Sequence, residues 1–417
     1  MSHVVRDASR RRFLAATSML FVSGVAVTAC GPAASGTKIT LNQWYHAYGE
    51  AGTKEAVKRY AAQYTKAHPH VAVNITWVAE GYETNLTSSL RTASAPDLFE
   101  FADFRRRFVV DGHVASLDDV IRDYRVEFSR TSLDVATVND RIYGIKMVDD
   151  IMLLYYRKSA LTKARISPPT TFDELVQAAK VLTSNGRKGL FVGKNGIGDA
   201  GYLMLWSAGQ ELARGNRVAF DTPAAAQALA GLRRLQESKS LLQGVDTDWQ
   251  DPGAFIQGAA AMQWCGLWAM PAIDKHLEDD YGVLPWPAFG TSGVPVTRVG
   301  GWYQLVNARS RHLEEAKKYA AWLWLQQTTL QKDFSVSYGF HVPARSSVAS
   351  TTEQLVKNAA ADNTVKLGRR YGRSFPNTWN AGDSAFDNAV AAIAAGADAA
   401  GELAKAAASC QNELDRQ

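Results

Sequence analysis

The side chains best suited to chemistry in this sequence are aromatic residues outside the regular spacing of a helix or strand core. They are Trp44, Tyr45, Trp206, Trp264, Trp268 and Trp302. Trp44 and Tyr45 end the first predicted strand, the edge at which an open α/β sheet presents ligands. Trp302 follows Gly300 and Gly301, which let the backbone approach a ligand closely. Flat aromatic rings pack against the C–H faces of sugar rings, so this set predicts a carbohydrate-binding surface.

The residue patterns for cofactor or metal chemistry are weak. Gly196, Gly198 and Gly201 satisfy the dinucleotide pattern G-x-G-x-x-G, but three residues separate them from the apolar run 190–192 and no clear helix opens within the motif. A single match of this kind is weak, so we interpret it as a flexible loop. The histidines are scattered without metal-ligand spacing. We therefore expect neither a cofactor nor a metal.

The first 29 residues are typical of an export signal. Ser9 to Leu14 (SRRRFL) is positively charged, and an uncharged, mostly apolar stretch follows from Phe13 to Ala29. This stretch is short of the ~20 apolar residues that span a bilayer. The arginine pair before Phe-Leu resembles the twin-arginine signal, which exports folded proteins. An ordinary secretory signal is the alternative.

The signal ends at a cysteine. The residues around Cys30 read VTACG, which resembles the bacterial lipobox. In lipoproteins of this type the cysteine is acylated and becomes the first residue of the mature chain, and two or three acyl chains anchor it firmly. We therefore predict a lipid anchor on Cys30, a tether over residues 30–37, and a location on the outer face of the bacterial cytoplasmic membrane.

Composition limits the class of the mature chain. Its length suits two domains. Residues before Cys30 supply +3 of the formal net charge of +5, which leaves about +2 and no electrostatic case for nucleic acid as a partner. Cys265 and Cys410 remain, and one possible bridge is not a disulfide framework. We favour two separately buried thiols over a bridge.

Strand and helix patterns alternate from Lys38 onward. Residues 39–44 and 71–77 read as strands, residues 57–64 as a helix between them, and residues 97–102 as a third strand after a further helix. Strands separated by helices predict βαβ units and a largely parallel sheet.

Further along the chain, local signals mark more elements. We expect a strand at 143–145, a helix opened by a capping box of Thr171 with Glu174, and a helix with Thr222 as its N-cap. Gly396 and Gly401 predict two short helices within the alanine-rich stretch 391–408.

Seven segments, taken in order, resemble the family 1 extracellular solute-binding proteins, which include maltose and trehalose receptors of ABC importers. The segments are 91–101 (RTASAPDLFEF), 140–161 (DRIYGIKMVDDIMLLYYRKSAL), 168–182 (PPTTFDELVQAAKVL), 253–268 (GAFIQGAAAMQWCGLW), 299–306 (VGGWYQLV), 313–323 (LEEAKKYAAWL) and 339–345 (GFHVPAR). One departure is Lys146, which replaces the proline usual at that position.

The resemblance implies an α/β fold of two lobes, the type II-like periplasmic-binding-protein fold, with a mixed sheet and flanking helices in each lobe. The lobes would comprise residues 38–146 plus 296–343 and residues 147–295 plus 344–417. They would close around a ligand by hinge motion. The expected partners are a carbohydrate and the transmembrane subunits of an ABC permease, and we expect a monomer.

The resemblance also implies site residues. Asp103 lies about where the family has a hydroxyl-binding acid, and Asp150 matches an acid beyond the lobe crossover, with Asp149 as an alternative. Trp264 matches a stacking aromatic residue, and Gly301 with Trp302 a cleft-lining pair. Arg373 matches a loop arginine of some relatives. The predicted ligand-binding residues are therefore Trp44, Tyr45, Asp103, Asp150, Trp206, Trp264, Gly301, Trp302 and Arg373.

Two other classes of function remain open. An exported glycoside hydrolase needs a pair of carboxylates, and Asp103 with Asp150 could form one, although acids that bind sugar hydroxyls look the same in sequence. The motifs G-x-S-x-G and H-E-x-x-H do not occur. The same fold could instead bind a polyamine, an iron chelate, a phospho-sugar or a peptide. We expect a binding protein rather than an enzyme, and a neutral sugar rather than a charged ligand.

Overall fold

Two large β-sheets, two small two-stranded sheets and the helices around them form the part of the chain that the structure describes. The structure is a computed structural model that describes residues 38–48, 50–184, 186–379 and 384–416. The predicted export signal, Cys30 and the whole tether to residue 37 lie outside these residues, so the predictions made for them stay predictions.

Within the described residues the strands are β1 Ile39–His46, β2 Val71–Val78, β3 Leu98–Ala102, β4 Thr137–Val138, β5 Arg141–Ile142, β6 Ile145–Lys146, β7 Val148–Arg157, β8 Lys188–Phe191, β9 Ala213–Arg214, β10 Arg217–Val218, β11 Ala260–Gly266, β12 Tyr281–Leu284, β13 Thr297–Gly300, β14 Trp302–Val306, β15 Val342–Pro343 and β16 Gly372–Arg373.

The helices in the same residues are α1 Thr53–Ala67, α2 Tyr82–Ser89, α3 Arg107–Val110, α4 Asp118–Ile121, α5 Arg130–Ala136, α6 Lys158–Ala164, α7 Phe172–Leu182, α8 Ala200–Ser207, α9 Pro223–Ala230, α10 Leu232–Glu237, α11 Gly253–Ile256, α12 Met270–Leu277, α13 Leu313–Ala321, α14 Thr328–Val336, α15 Ser346–Ala349, α16 Glu353–Lys357, α17 Ala359–Tyr371, α18 Ser384–Ala394 and α19 Ala399–Leu414. Short 3₁₀ segments cover Arg122–Glu127 and Leu267–Ala269, and a π-helical turn covers Trp322–Gln326.

The first sheet has the strand order β2-β1-β3-β14-β6. β1 is parallel to β2 and β3, whereas β14 is antiparallel to β3 and β6. Alternate residues of β1, Leu41, Gln43 and Tyr45, are buried, as period-two alternation predicts for a strand with one face on a core. This sheet and the side chains packed on it form one hydrophobic core, which we call the first lobe.

The second sheet has β7 at its centre, in the order β16-β13-β7-β11-β8, with β12 and β15 also paired to β7. β11, β12, β13 and β15 all run antiparallel to β7. Two hydrophobic clusters pack against this sheet, and we call the sheet with these clusters the second lobe. Cys265 and Cys410 are both buried in this lobe, in different clusters.

Within the described residues, the chain crosses between the two large sheets at three places. β6 of the first sheet leads through Met147 into β7 of the second, and β13 leads through Gly301 into β14. The third crossing precedes β15, which pairs with the start of β7. Met147 and the second crossing are tied together, because the Met147 N–H donates to the Trp302 carbonyl at 2.8 Å. The lobe limits predicted from the sequence, at 146/147, 295/296 and 343/344, stay a prediction.

Several local predictions are confirmed. Thr171 and Glu174 form the capping box of α7, and the Thr222 hydroxyl accepts from the Ala225 N–H at the start of α9. Two predictions are wrong in detail. The strand expected at 143–145 begins only at Ile145. Gly401 does not interrupt a helix, because the Asp398 carboxylate accepts from its N–H and caps α19 there.

The glycine motif at 196–201 also differs from its prediction, because α8 begins inside it at Ala200. A Cβ on Gly198 would lie 1.8 Å from the Val192 carbonyl oxygen, and one on Gly201 would lie 2.7 Å from Val390. Close packing within the second lobe therefore explains these two glycines.

Candidate functional site

Charged and aromatic side chains meet where the second crossing joins the two sheets. β1 and β3 are parallel and end at the same edge, and Trp302 at the start of β14 lies opposite Ala102 at the end of β3. On the other side of the crossing, Gly300 lies opposite Asp150 of β7. We call His46, Tyr48, Asp103, Asp150, Arg298, Trp302 and His341 the junction site.

His46 and Trp302 form a stacked pair in this site. Their ring centroids are 3.6 Å apart and the planes differ by 10°. The Tyr48 ring lies 3.8 Å from His46, tilted by 46°. All three side chains are half-buried, so part of this aromatic surface reaches solvent. Such a surface can pack against an apolar face of a ligand.

Glu100 of β3 holds this aromatic group in place. Its side chain is fully buried, and a buried carboxylate is stable only with hydrogen-bonding partners. Oε1 accepts from the His46 backbone N–H at 2.8 Å and lies 2.5 Å from His46 Nδ1, while the Tyr48 hydroxyl donates to Oε2 at 2.6 Å. Burial, followed by the charge of Glu100, raises the pKa of Tyr48. The Tyr48 hydroxyl therefore stays protonated and fixed as a donor.

Arg298 of β13 links the two lobes. Its Nη2 donates to Asp103 Oδ2 at 2.9 Å, just after β3 of the first lobe, and its Nη1 donates to both oxygens of Asp199, at 3.0 and 3.1 Å, in the second lobe. The guanidinium carbon lies 4.6 Å from the centroid of the Phe375 ring. Burial lowers the pKa of Arg298, but Asp199 and Asp103 raise it by more, so the net pKa is above its usual value. The guanidinium is therefore a permanent cation between two carboxylates.

His341 makes a second charged link beside the third crossing. Its Nδ1 lies 2.5 Å from Asp150 Oδ1, and its Nε2 lies 3.4 Å from Glu50 Oε1 in the first lobe. Burial lowers the pKa of His341, but Asp150 and Glu50 raise it by more, to about 10. His341 is therefore an imidazolium at neutral pH. It joins Glu50, in the loop between β1 and α1, to Asp150 of β7.

Lys146 and Asp149 lie at the first crossing. Lys146 Nζ donates to the Gly300 carbonyl at 2.9 Å, lies 4.3 Å from the centroid of the Tyr303 ring and is 3.8 Å from Asp149 Oδ1. Burial lowers the pKa of Lys146 and raises that of Asp149 to about 6. Lys146 therefore ties two of the three crossings together.

The predicted tryptophans of the second lobe lie in its core. Trp264 is 0% exposed and Trp206 is 1% exposed. The Trp264 indole N–H donates to Asp199 Oδ2 at 3.3 Å, and its ring meets Trp286 edge to face at 6.1 Å. Trp206 lies 5.5 Å from Phe375. A ligand could touch either indole only after neighbouring side chains move, and their ligand role stays a prediction.

The remaining predicted residues divide between the junction site and other places. Asp103, Asp150 and Trp302 belong to the junction site, and Gly301 lies in the crossing beside them. Trp44 is half-buried beside the first-lobe core and Tyr45 lies inside that core, since successive residues of a strand face opposite sides. Arg373 pairs in register with Arg298 and lies 3.7 Å from Glu211 Oε1.

Sequence reasoning missed six residues of this site and its support: His46, Tyr48, Glu100, Asp199, Arg298 and His341. Two of them carried a signal. Glu100 is an acid inside the apolar run LFEF, and Arg298 lies two residues before the Gly-Gly pair at 300–301. A charged residue within a strand that packs on a core needs a partner. Asp199 and His341 have no such local pattern.

In the part of the chain that the structure describes, no helix is both long and apolar enough to span a bilayer.

Residues 50–324 match the family model described as bacterial extracellular solute-binding protein. A probable amino-acid ABC transporter periplasmic-binding protein of Sinorhizobium fredii is 24% identical over 342 residues, which cover 75% of this chain and 77% of that protein. An arabinooligosaccharide-binding protein of Bacillus subtilis is 23% identical over 321 residues, with 72% of each chain covered.

A crystal structure of an ABC transporter solute-binding protein from Thermotoga lettingae bound with alpha-D-tagatose has the same fold. It aligns with a TM-score of 0.75 at 20% identity and covers 90% of this chain and 100% of that chain. The predicted fold class is thereby confirmed. Because the family model matches more than half of the sequence, the chain belongs to the bacterial extracellular solute-binding proteins.

Proposed function

We propose that this protein is the carbohydrate receptor of an ABC importer. Its family makes it an extracellular solute-binding receptor, and the sugar ligand is our inference. The observation that carries it is the half-exposed stack of His46 on Trp302, held in place by the buried Glu100. Rings fixed in this way offer a flat apolar surface at little entropic cost, which suits the C–H face of a sugar ring.

Carboxylates next to this surface suit the hydroxyl groups of a sugar. Asp103 and Asp150 belong to the same junction, and ionised carboxylates accept hydrogen bonds through two oxygens each. Arg298 and His341 hold these acids in fixed positions. A sugar hydroxyl would therefore meet acceptors that are already oriented.

Two similar proteins support a sugar. One is named an arabinooligosaccharide-binding protein, and the other was crystallised with alpha-D-tagatose. In our proposal the two lobes close around the sugar at the three crossings, and the closed monomer delivers it to the transmembrane subunits of an ABC permease.

We further propose that the protein works as a lipoprotein. The twin-arginine-like segment would export the chain, and acylation of Cys30 would anchor it to the outer face of the cytoplasmic membrane. The anchor would keep the receptor close to its permease, which raises the effective concentration of each for the other.

A ligand with an ammonium group is the second candidate. One relative is named a probable amino-acid receptor. Six acids lie at or beside the junction, namely Glu50, Glu100, Asp103, Asp149, Asp150 and Asp199, whereas Arg298, His341 and Lys146 supply three cations. That excess of acid would favour a cationic group on the ligand.

Thermal shift of residues 38–417 against a panel of mono- and oligosaccharides and a panel of amino acids and polyamines separates the two candidates. A ligand at 100 times Kd stabilises the folded state by about 2.7 kcal/mol. We expect a response to a sugar that Trp302→Ala reduces, and chromatography should show the oligosaccharide intact after incubation. A response only to amino acids or polyamines would replace the sugar, and turnover of the oligosaccharide would favour the hydrolase.

A further inference from the structure

A basic cavity lies between the lobes, apart from the junction site. Its volume is about 350 Å³, and its lining includes Arg91, Arg105 and Arg107 of the first lobe and Arg416 just after α19 of the second. None of the residues that line it belongs to the junction site. The two lobes thus each supply guanidinium groups to one cavity that is open to solvent.

The charges around this cavity do not balance. Asp111 and Glu413 are the acids of its lining, against four arginines. Arg107 Nε donates to Asp111 at 2.8 Å, and Arg105 Nη2 donates to Glu83, outside the lining, at 2.8 Å. Within the described residues, the buried Nε of Arg105 has no hydrogen-bond partner. The lining keeps an excess of two positive charges, and one buried donor is unused.

His113 reports the same positive field. Its side chain is buried in the wall of the cavity. Burial is the main cause of its lowered pKa, and the charge of Arg309, outside the lining, lowers it further. Asp111 raises this pKa, and Arg91 and Arg107 lower it by smaller amounts. A neutral His113 adds no charge to the cavity.

Contacts next to the cavity already join the lobes. The Arg106 N–H donates to the Asn377 carbonyl at 2.8 Å, and Asn377 Nδ2 donates to the Thr137 carbonyl at 2.7 Å. Arg107 Nη1 donates to the Arg416 carbonyl at 3.4 Å. An anion held by arginines of both lobes would add to these contacts.

We propose that this cavity is a second binding site, which takes a phosphate group between Arg91, Arg105 and Arg107 of one lobe and Arg416 of the other. The guanidinium group matches the oxygens of phosphate in pairs and stays charged at all relevant pH values. The buried rings of Phe108 and Trp379 supply an apolar wall. The phosphate can come from solution or from the head group of an anionic phospholipid, since both present the same charged oxygens.

Isothermal titration of residues 38–417 with inorganic phosphate tests this site, with sodium chloride of equal ionic strength as the reference. Vesicles of phosphatidylcholine with and without phosphatidylglycerol form the second arm. The test variant is Arg91→Gln/Arg416→Gln. The matched control is Arg122→Gln/Arg125→Gln, which removes two exposed arginines outside the cavity. Arg91→Lys keeps the charge and removes the paired donors.

We expect phosphate binding that weakens at least about tenfold in the test variant and less than about twofold in the control. Arg91→Lys should fall between them. Vesicle binding that depends on phosphatidylglycerol and is lost in the test variant, without binding of free phosphate, would assign the site to lipid. Equal binding by the parent and the test variant in both arms, or no binding beyond the chloride reference in either arm, would overturn the proposal. Since no sugar is used, these outcomes are independent of the function proposed for the junction site.

Discussion

Arg298 donates to Asp103 across the lobe boundary at 2.9 Å, although the two residues lie 195 positions apart in the chain. The strand that carries Arg298 belongs to the second sheet, and Asp103 follows the third strand of the first. Asp199 holds the same guanidinium from the second lobe at 3.0 Å. The arginine is therefore a shared partner of two carboxylates. It donates one bond to Asp103 and two to Asp199, and Asp199 also accepts from the Trp264 indole.

Replacing Arg298 with Gln should destabilise the protein. Removing one partner of a buried ion pair leaves uncompensated charge and costs about 3–5 kcal/mol, and here two carboxylates lose their cation. Urea denaturation measures the loss. Asp103→Asn removes the charge of the first-lobe carboxylate and leaves the pair of Arg298 with Asp199 intact, so it should lower the free energy of unfolding less than Arg298→Gln does. An unchanged midpoint in Arg298→Gln would show that the link contributes nothing to the fold.

Trp302→Ala and Trp264→Ala should act on different properties. Trp302 is half-buried and stacked on His46, so its loss should weaken ligand binding by about 2 kcal/mol or more, roughly 25-fold. Trp264 is fully buried, so its loss should lower stability by about 3–5 kcal/mol. Calorimetric titration and thermal melts on both variants check this. Normal affinity in Trp302→Ala would remove the aromatic stack from the binding site.

Stability should fall with rising pH because of His341. Its pKa is about 10 in the folded protein against the usual 6.5, so its contribution is complete below pH 6.5 and is lost as pH rises towards 10. The size should be on the order of a few kcal/mol. Urea denaturation at pH 6.5, 8 and 9.5 should show a smaller slope with pH in His341→Gln than in the parent. His70→Gln, at an exposed position, should keep the parent slope; identical slopes in all three proteins would refute the linkage.

Gly301→Ala should be poorly tolerated at the second crossing. Gly301 has φ 116°, and a Cβ would lie 2.1 Å from the Val148 carbonyl oxygen. Gly290 also has a positive φ, of 72°, but nothing lies within 4 Å of its Cβ position. Gly290→Ala should cost about 1–2 kcal/mol from conformation alone, and Gly301→Ala distinctly more. Equal losses of unfolding free energy in the two variants would mean that the crossing relaxes freely.

Cys30→Ala should release the protein from the membrane or block its maturation. The proposed anchor is covalent, and each buried CH₂ of an acyl chain contributes about 0.8 kcal/mol of membrane affinity. Fractionation with metabolic lipid labelling is the measurement. Continued labelling and membrane retention of the variant would exclude Cys30 as the anchor. A Ser18→Ala variant, which keeps the cysteine, should behave like the parent.

Local features of the fold followed from the sequence, and long-range ones did not. The first strands and helices and the capping box of Thr171 with Glu174 depend on residues only a few positions apart, so periodicity and capping rules predicted them. The small residues before Trp264 suggested that a ligand could reach it. However, its strand β11 lies between β7 and β8 in the second sheet, and its side chain is part of a hydrophobic core. The pairing of Arg298 with Asp103 and Asp199 depends on the crossing itself, which no local pattern encodes.

The position of β14 in the first sheet has a consequence for how the chain is made. β14 lies between β3 and β6, so β6 reaches the rest of its sheet only through residues 302–306. When the ribosome has translated β7, β11 and β12, it has therefore not yet translated β14, the strand that completes the sheet of the first lobe. At about 5–20 residues per second during synthesis, the first lobe waits several seconds or more for that strand. The nascent chain then holds a sheet with an open edge beside a second lobe already under assembly, and this is the interval in which a chaperone or an export factor could act on it.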